Sequence, residues 1–65
     1  MVSIEPKITP GARYTPYETA SLLGISRSTL DRLTRAGALM AGRHKANGRR
    51  YYTGREIVSF WRSSL

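Results

Sequence analysis

The sequence contains no cysteine and only one histidine, His44. Disulfides and thiolate metal sites are therefore excluded. A single imidazole with no second ligand does not hold a metal, so neither a metal nor a cofactor is expected. No stretch approaches the ~18 apolar residues that a membrane span needs, and no charged-then-apolar leader follows Met1. The composition points to a cytoplasmic protein with no membrane partner. Acidic residues are scarce: Glu5, Glu18, Asp31 and Glu56 are the only four, and they are scattered. Paired carboxylates for acid–base chemistry are absent, as are a nucleophile–base pair and a glycine-rich phosphate cradle. Enzyme activity is not expected. At 65 residues the chain is one domain at most. A domain this small buries only ~60% of the surface its unfolded chain exposes, so its core must hold by packing alone.

What the chain has in abundance is arginine. Eleven Lys and Arg stand against four acids, for a net charge of +7, and nine of the eleven are arginine. So high a charge on so short a chain implies a polyanionic partner. The planar fork of arginine suits phosphates and guanine edges, and double-stranded DNA is the expected partner.

Residues 1–12, MVSIEPKITPGA, have Pro6, Pro10 and Gly11 breaking any helical period. They read as a flexible N-terminal arm from which Ile4 or Ile8 could dock on the core, leaving residues 13–65 as the domain. Thr15-Pro16-Tyr17-Glu18 is a helix start, with Thr15 as N-cap, Pro16 at the first helical position and Glu18 completing a capping box. The first helix is expected over Pro16 to Leu23, with Ala20 and Leu23 inward, and Gly24 stops it. Ile25 plugs the turn. Ser26 then caps a second helix over Arg27 to Ala36, in which Leu30, Leu33 and Ala36 face inward. Gly37 ends it, and Leu39 returns to the core. Asn47-Gly48 predicts a two-residue type I′ turn that pairs Ala46 with Arg49, Lys45 with Arg50, His44 with Tyr51 and Arg43 with Tyr52. Thr53 and Glu56 repeat the capping box ahead of a third helix over Gly54 to Ser63, with Ile57, Phe60 and Trp61 as its core stripe. The expected fold is mainly α with a small β-hairpin: a winged helix-turn-helix.

In a helix-turn-helix the second helix enters the major groove and its N-terminal residues reach base edges. With Leu30 and Leu33 inward, the outward residues are Arg27, Ser28, Asp31, Arg32 and Arg35. Arg27 could bind O6 and N7 of a guanine, and Ser28 a base or a phosphate. Arg32 and Arg35 are placed for the backbone, while Ser26 and Thr29 cap the helix or touch phosphate. In the wing, Arg43, Lys45, Arg49 and Arg50 flank the Asn47-Gly48 tip. Such a tip can follow the phosphates or enter a minor groove, with Lys45 and Arg49 nearest its end. The plainer alternatives are a solvated helix face and an edge hairpin kept soluble by charge. His44, Phe60 and Trp61 read as packing residues. Tyr51 reads as cross-strand packing or a phosphate contact.

Two segments, YTPYETASLLGISRSTLDRLTRAGAL and NGRRYYTGREI, resemble the DNA-binding domains of MerR-type regulators and of the related small excisionases, or recombination directionality factors. The resemblance covers about Tyr14 to Trp61. It implies a MerR-like winged helix-turn-helix, with Arg27, Ser28 and Arg32 at the major groove and Arg49 and Arg50 reaching backbone or minor groove. Tyr51 stands where the family often has the second arginine of an Arg-Arg-Tyr run, which shifts the wing's phosphate contact to Arg50. MerR regulators continue into a dimerising helix and an effector domain. Here the sequence stops at Leu65, right after the third helix, so no small-molecule effector is expected. The likeness to excisionases implies a bacterial or phage-encoded, nucleoid-associated protein. Such a protein binds adjacent DNA sites, self-associates on DNA, bends it and promotes excision by a tyrosine or serine integrase. A small MerR-like transcriptional regulator and a DNA-packaging or replication adaptor remain the alternative readings.

Overall fold

A computed structural model describes residues 4–63. Residues 1–3 of the expected arm and 64–65 of the expected domain lie outside the described residues. Helix α1 (Pro16–Leu23) begins as the sequence predicts. Thr15 Oγ1 accepts the Glu18 N–H at 3.1 Å, and Glu18 Oε1 accepts the Thr15 N–H at 3.0 Å. The helix ends at Gly24, whose φ of 68° is left-handed. The Gly24 N–H bonds Ser21 O at 3.1 Å and the Ile25 N–H bonds Ala20 O at 3.0 Å, the paired closure that a glycine permits without a Cβ penalty.

Helix α2 (Arg27–Arg35) repeats this grammar. Ser26 Oγ accepts the Thr29 N–H at 3.1 Å. At the far end Gly37 has φ 79°, and the N–H groups of Gly37 and Ala38 bond the carbonyls of Thr34 and Leu33. Leu30 is fully buried and Leu33 packs against the core at partial burial. Ala36, expected inward, is exposed. A three-residue step advances ~300° on an α-helix, so two steps beyond Leu30 have rotated ~120° off the buried line.

Three short strands, β1 (Arg13–Tyr14), β2 (Gly42–Arg43) and β3 (Arg50–Thr53), form an antiparallel sheet in the order β1-β3-β2. β1 pairs Arg13 with Thr53 and Tyr14 with Tyr52, whereas β2 pairs Gly42 with Tyr51 and Arg43 with Arg50. The expected hairpin is corrected here. The last pair is closed by the His44 N–H on Arg49 O at 2.9 Å, with residues 45–48 as the loop and the Gly48 N–H on His44 O at 2.7 Å. A type I′ turn needs positive φ at both central residues. Gly48 has it, at 69°, but among the described residues no non-glycine does. Asn47 instead turns its side chain to the backbone, Oδ1 accepting the Arg49 N–H at 2.9 Å. The register is thereby offset by two residues from the expected one. Because strand side chains alternate with a period of two, every side chain keeps its expected face.

Helix α3 (Gly54–Ser63) packs Ile57 and Trp61 into the core. Thr53 Oγ1 accepts the Glu56 N–H at 3.3 Å. Two further N–H groups of its first turn are taken from outside the helix: Gly54 donates to Ala12 O at 2.9 Å and Arg55 to Pro10 O at 3.2 Å. The segment expected as a flexible arm thus makes specific contacts along its second half. Ile8 packs against the core, the Thr9 N–H bonds the Tyr14 hydroxyl at 3.0 Å, and Ile4 is 81% exposed. The crossing is so close that a Cβ on Gly54 would collide with Thr9 O and Ile8 Cγ2.

The core comprises Ala20, Leu23, Leu30, Leu39, Tyr52, Ile57 and Trp61, with Ile25 and Phe60 packed against it. Tyr52 is fully buried, and its hydroxyl lies 2.6 Å from Thr34 Oγ1. Thr34 spends its one proton on Leu30 O at 3.0 Å, so Tyr52 is the donor to Thr34. Three helices and a three-stranded sheet in this order make a winged helix-turn-helix.

Gly54→Ala should destabilise the domain by ~1–3 kcal/mol, since the added methyl has no room to relax beside a backbone carbonyl. A thermal melt should show a Tm lower by at least ~4 °C. An unchanged Tm would mean that residues 8–12 do not seat on α3.

Candidate nucleic-acid interface

The outward side of α2 follows from its inward side. Counted round the helix from the buried Leu30, Arg27, Asp31, Arg35, Ser28 and Arg32 fall within an arc of ~140° that begins ~60° from Leu30. Arg27, Ser28, Arg32 and Arg35 are all exposed. Among the described residues, none of the three guanidinium groups makes an ion pair or hydrogen bond with the protein. Arg32 and Arg35 sit in the last turn, where the negative end of the helix dipole favours cations. Thr29 is half-buried and committed to the cap: its N–H bonds Ser26 Oγ, and its Oγ1 accepts the Ser26 hydroxyl at 2.9 Å.

The wing residues divide into three groups. Lys45 and Arg49 are exposed, with side chains that no carboxylate neutralises among the described residues. Arg43 and Asn47 shape the tip. Arg43 Nη1 donates to Gly48 O at 3.2 Å, across the loop that Asn47 braces from inside. Arg50 turns away from the tip. It lies two residues from Tyr52 on one strand and therefore on the same face, which leads it to α2, where its Nη1 meets Asp31 Oδ1 at 3.4 Å. Both partners are about one-third exposed, so the pair contributes at most ~1 kcal/mol. Its consequence is geometric. It places the wing beside α2 and takes the one acid of the α2 face out of opposition to an anionic ligand.

The sequence reading missed one cation. Arg13 on β1 is exposed and lies with its guanidinium carbon 4.7 Å from the centre of the Tyr51 ring. The His44 ring stands 4.6 Å from Tyr51 on its other contact, tilted by 42°. Nothing local marks Arg13. A two-residue strand gains its place only by pairing with β3, from the other end of the chain.

This surface can donate charge-assisted hydrogen bonds to phosphates and base edges. Among the described residues no group of potential metal ligands is assembled, and no helix is long and apolar enough to cross a membrane. A family described as the helix-turn-helix domain matches residues 13–64, and the chain belongs to that family. No curated protein and no solved structure gives a match. The match spans the strands and α3 as well as the two helices of the motif, and the chain is a DNA-binding helix-turn-helix domain with a wing.

Gly48→Val puts a β-branched residue at a left-handed φ of 69°, at a cost of roughly 1–3 kcal/mol. The expected result is several-fold weaker DNA binding with helical circular dichroism unchanged, because the strain lies in the loop. Full affinity would mean that the loop geometry does not matter to binding.

Proposed function

We propose that α2 lies in the major groove of duplex DNA while the wing grips the adjacent backbone or minor groove. The observation that carries this reading is the row of uncommitted arginines on α2 with the wing held against the same helix. Arg27 and Ser28, at the N-terminal end of α2, are the base readers. An arginine there suits O6 and N7 of a guanine, and a serine suits either base or phosphate. Arg32 and Arg35 hold the backbone. Lys45 and Arg49 at the tip provide the wing's grip, with Arg43 and Asn47 shaping the loop. Thr29 caps the helix that presents Arg27, and Arg50 contributes through its place between wing and helix.

The finer reading is an excisionase-type recombination directionality factor of the MerR-like superfamily. It binds adjacent sites, self-associates on DNA, bends it and turns a tyrosine or serine integrase toward excision of a mobile element. It works in the bacterial cytoplasm at the nucleoid. Support comes from the likeness of the α1–α2 and wing sequences to small excisionases, and from a basic wing that stands beside α2 as a second contact element. Footprinting across the protein's own genetic neighbourhood, followed by an excision assay with the neighbouring integrase, tests it. Direct-repeat footprints and stimulated excision are expected. A promoter footprint without any effect on recombination would assign a small transcriptional regulator instead. Recruitment of a larger enzyme without a footprint would assign an adaptor module.

Two substitutions separate reading from gripping. Arg27→Ala should cost ~1–3 kcal/mol on the target site and relax preference at one base pair; equal weakening on every sequence would make Arg27 a phosphate contact. Arg49→Ala should weaken binding to all duplexes alike and flatten the slope of log K against log salt by about 0.9. An unchanged slope would remove the wing from the contact surface.

A further inference from the structure

The outward face of the sheet carries a cation that the proposed α2-and-wing contact does not use, Arg13. Tyr52 points into the core, so its neighbour Tyr51 points outward. Opposite it stands Gly42, where a Cβ would fall 2.5 Å from Tyr51 Cζ. The ring therefore lies across β2 in space that only a glycine leaves open. On this platform rests the Arg13 guanidinium, 4.7 Å from the ring centre. An arginine stacked by its face keeps its edge N–H donors free for a phosphate. Beside it runs a groove of about 450 Å³ between the start of α1 and the wing, lined among others by Arg13, Thr15, His44, Asn47, Arg49 and Tyr51. Among the described residues no acidic one lines it. Among the described residues Arg13 and Arg49 meet no carboxylate, and the third arginine of the lining, Arg50, is the one held by Asp31.

We propose that this groove is a phosphodiester site for the DNA backbone, with Arg13 and Arg49 as its two charged contacts and Tyr51, through Gly42, as the positioning residue for Arg13. The proposal rests on the DNA-binding reading and extends its footprint from α2 and the wing tip to β1. Two features favour the backbone over base edges as the occupant. The first helix of a helix-turn-helix crosses the backbone, and the groove lies at the start of that helix. Arg50, which also lines the groove, is held by Asp31 of α2, so the site adjoins the helix that carries the arginine face.

The test compares the wild-type chain with Arg13→Ala and Arg13→Lys on a target and a scrambled duplex, between 50 and 200 mM KCl. Arg13→Ala should flatten the salt slope by about 0.9 on both duplexes, so that the wild-type advantage in affinity shrinks about 3.5-fold across that range. Arg13→Lys, which keeps the charge, should restore the slope. In phosphate-ethylation interference, one modified phosphate should block the wild-type chain and not Arg13→Ala. Steep salt dependence in the wild type with no change of slope in Arg13→Ala would overturn the groove site and leave the DNA-binding reading standing. A wild-type chain that binds neither duplex would overturn both. A purely structural role for Arg13 would lower the Tm without moving the slope, and that result also overturns the proposal.

Discussion

The Tyr52 phenol, buried in the core and bonded to Thr34 at 2.6 Å, joins the strand that leads out of the wing to the helix that carries the arginine face. A neutral hydrogen bond of this kind contributes only about 1 kcal/mol net. Its importance lies in where it sits. Arg50 and Tyr52 share one face of β3, and Asp31 and Thr34, three residues apart, share one face of α2. The two pairs, Arg50 with Asp31 and Tyr52 with Thr34, form two rungs between strand and helix. β3 is itself held between β1 and β2 and against α1 and α3, and the two rungs tie this strand, and the wing it leads out of, to the reading helix.

The rest of the domain is organised around keeping that unit in place with very little core. The α1–α2 turn is closed by Gly24 and the end of α2 by Gly37, each with the same pair of backbone bonds. The start of α3 borrows carbonyls from Pro10 and Ala12, so a segment that precedes the helix-turn-helix completes the helix that follows the wing. Charge is kept out of this interior. Thr19 is the only buried polar residue among the described ones, and it bonds Thr15 O. The net charge of +7 therefore lies on the surface, where its self-repulsion opposes compactness and a polyanion relieves it.

Much of this was legible in the sequence because it is local. Thr15-x-x-Glu18, Ser26 and the two helix-ending glycines act through hydrogen bonds that span three to five residues, and each stands where the sequence puts it. The inward Leu30, Ile57 and Trp61 follow from helical periodicity. What was not legible is set at long range. Asn47-Gly48 looks like a two-residue turn, but the register sets the Tyr51 ring over Gly42, the one partner on β2 without a Cβ. The loop lengthens to suit. Strand β1 and the crossing at Gly54 depend on the two ends of the chain meeting, which no window of sequence contains. Among the surface residues, the exposure of Arg27, Ser28, Arg32 and Arg35 could be read from the helix period. The engagement of Arg50 with Asp31 and the stacking of Arg13 on Tyr51 could not, since each joins elements distant in sequence that only the tertiary fold brings together.

The central claim is that one contiguous surface, formed by the arginine face of α2 and the wing locked beside it, contacts duplex DNA. Titrating the ¹⁵N-labelled chain with its footprinted duplex and mapping the amide shifts measures this directly. The account predicts the largest shifts at residues 26–35 and 43–50, with the outer face of α3 around Arg55, Ser59 and Arg62 unmoved. Shifts centred on that α3 face, with residues 26–35 silent, would contradict it.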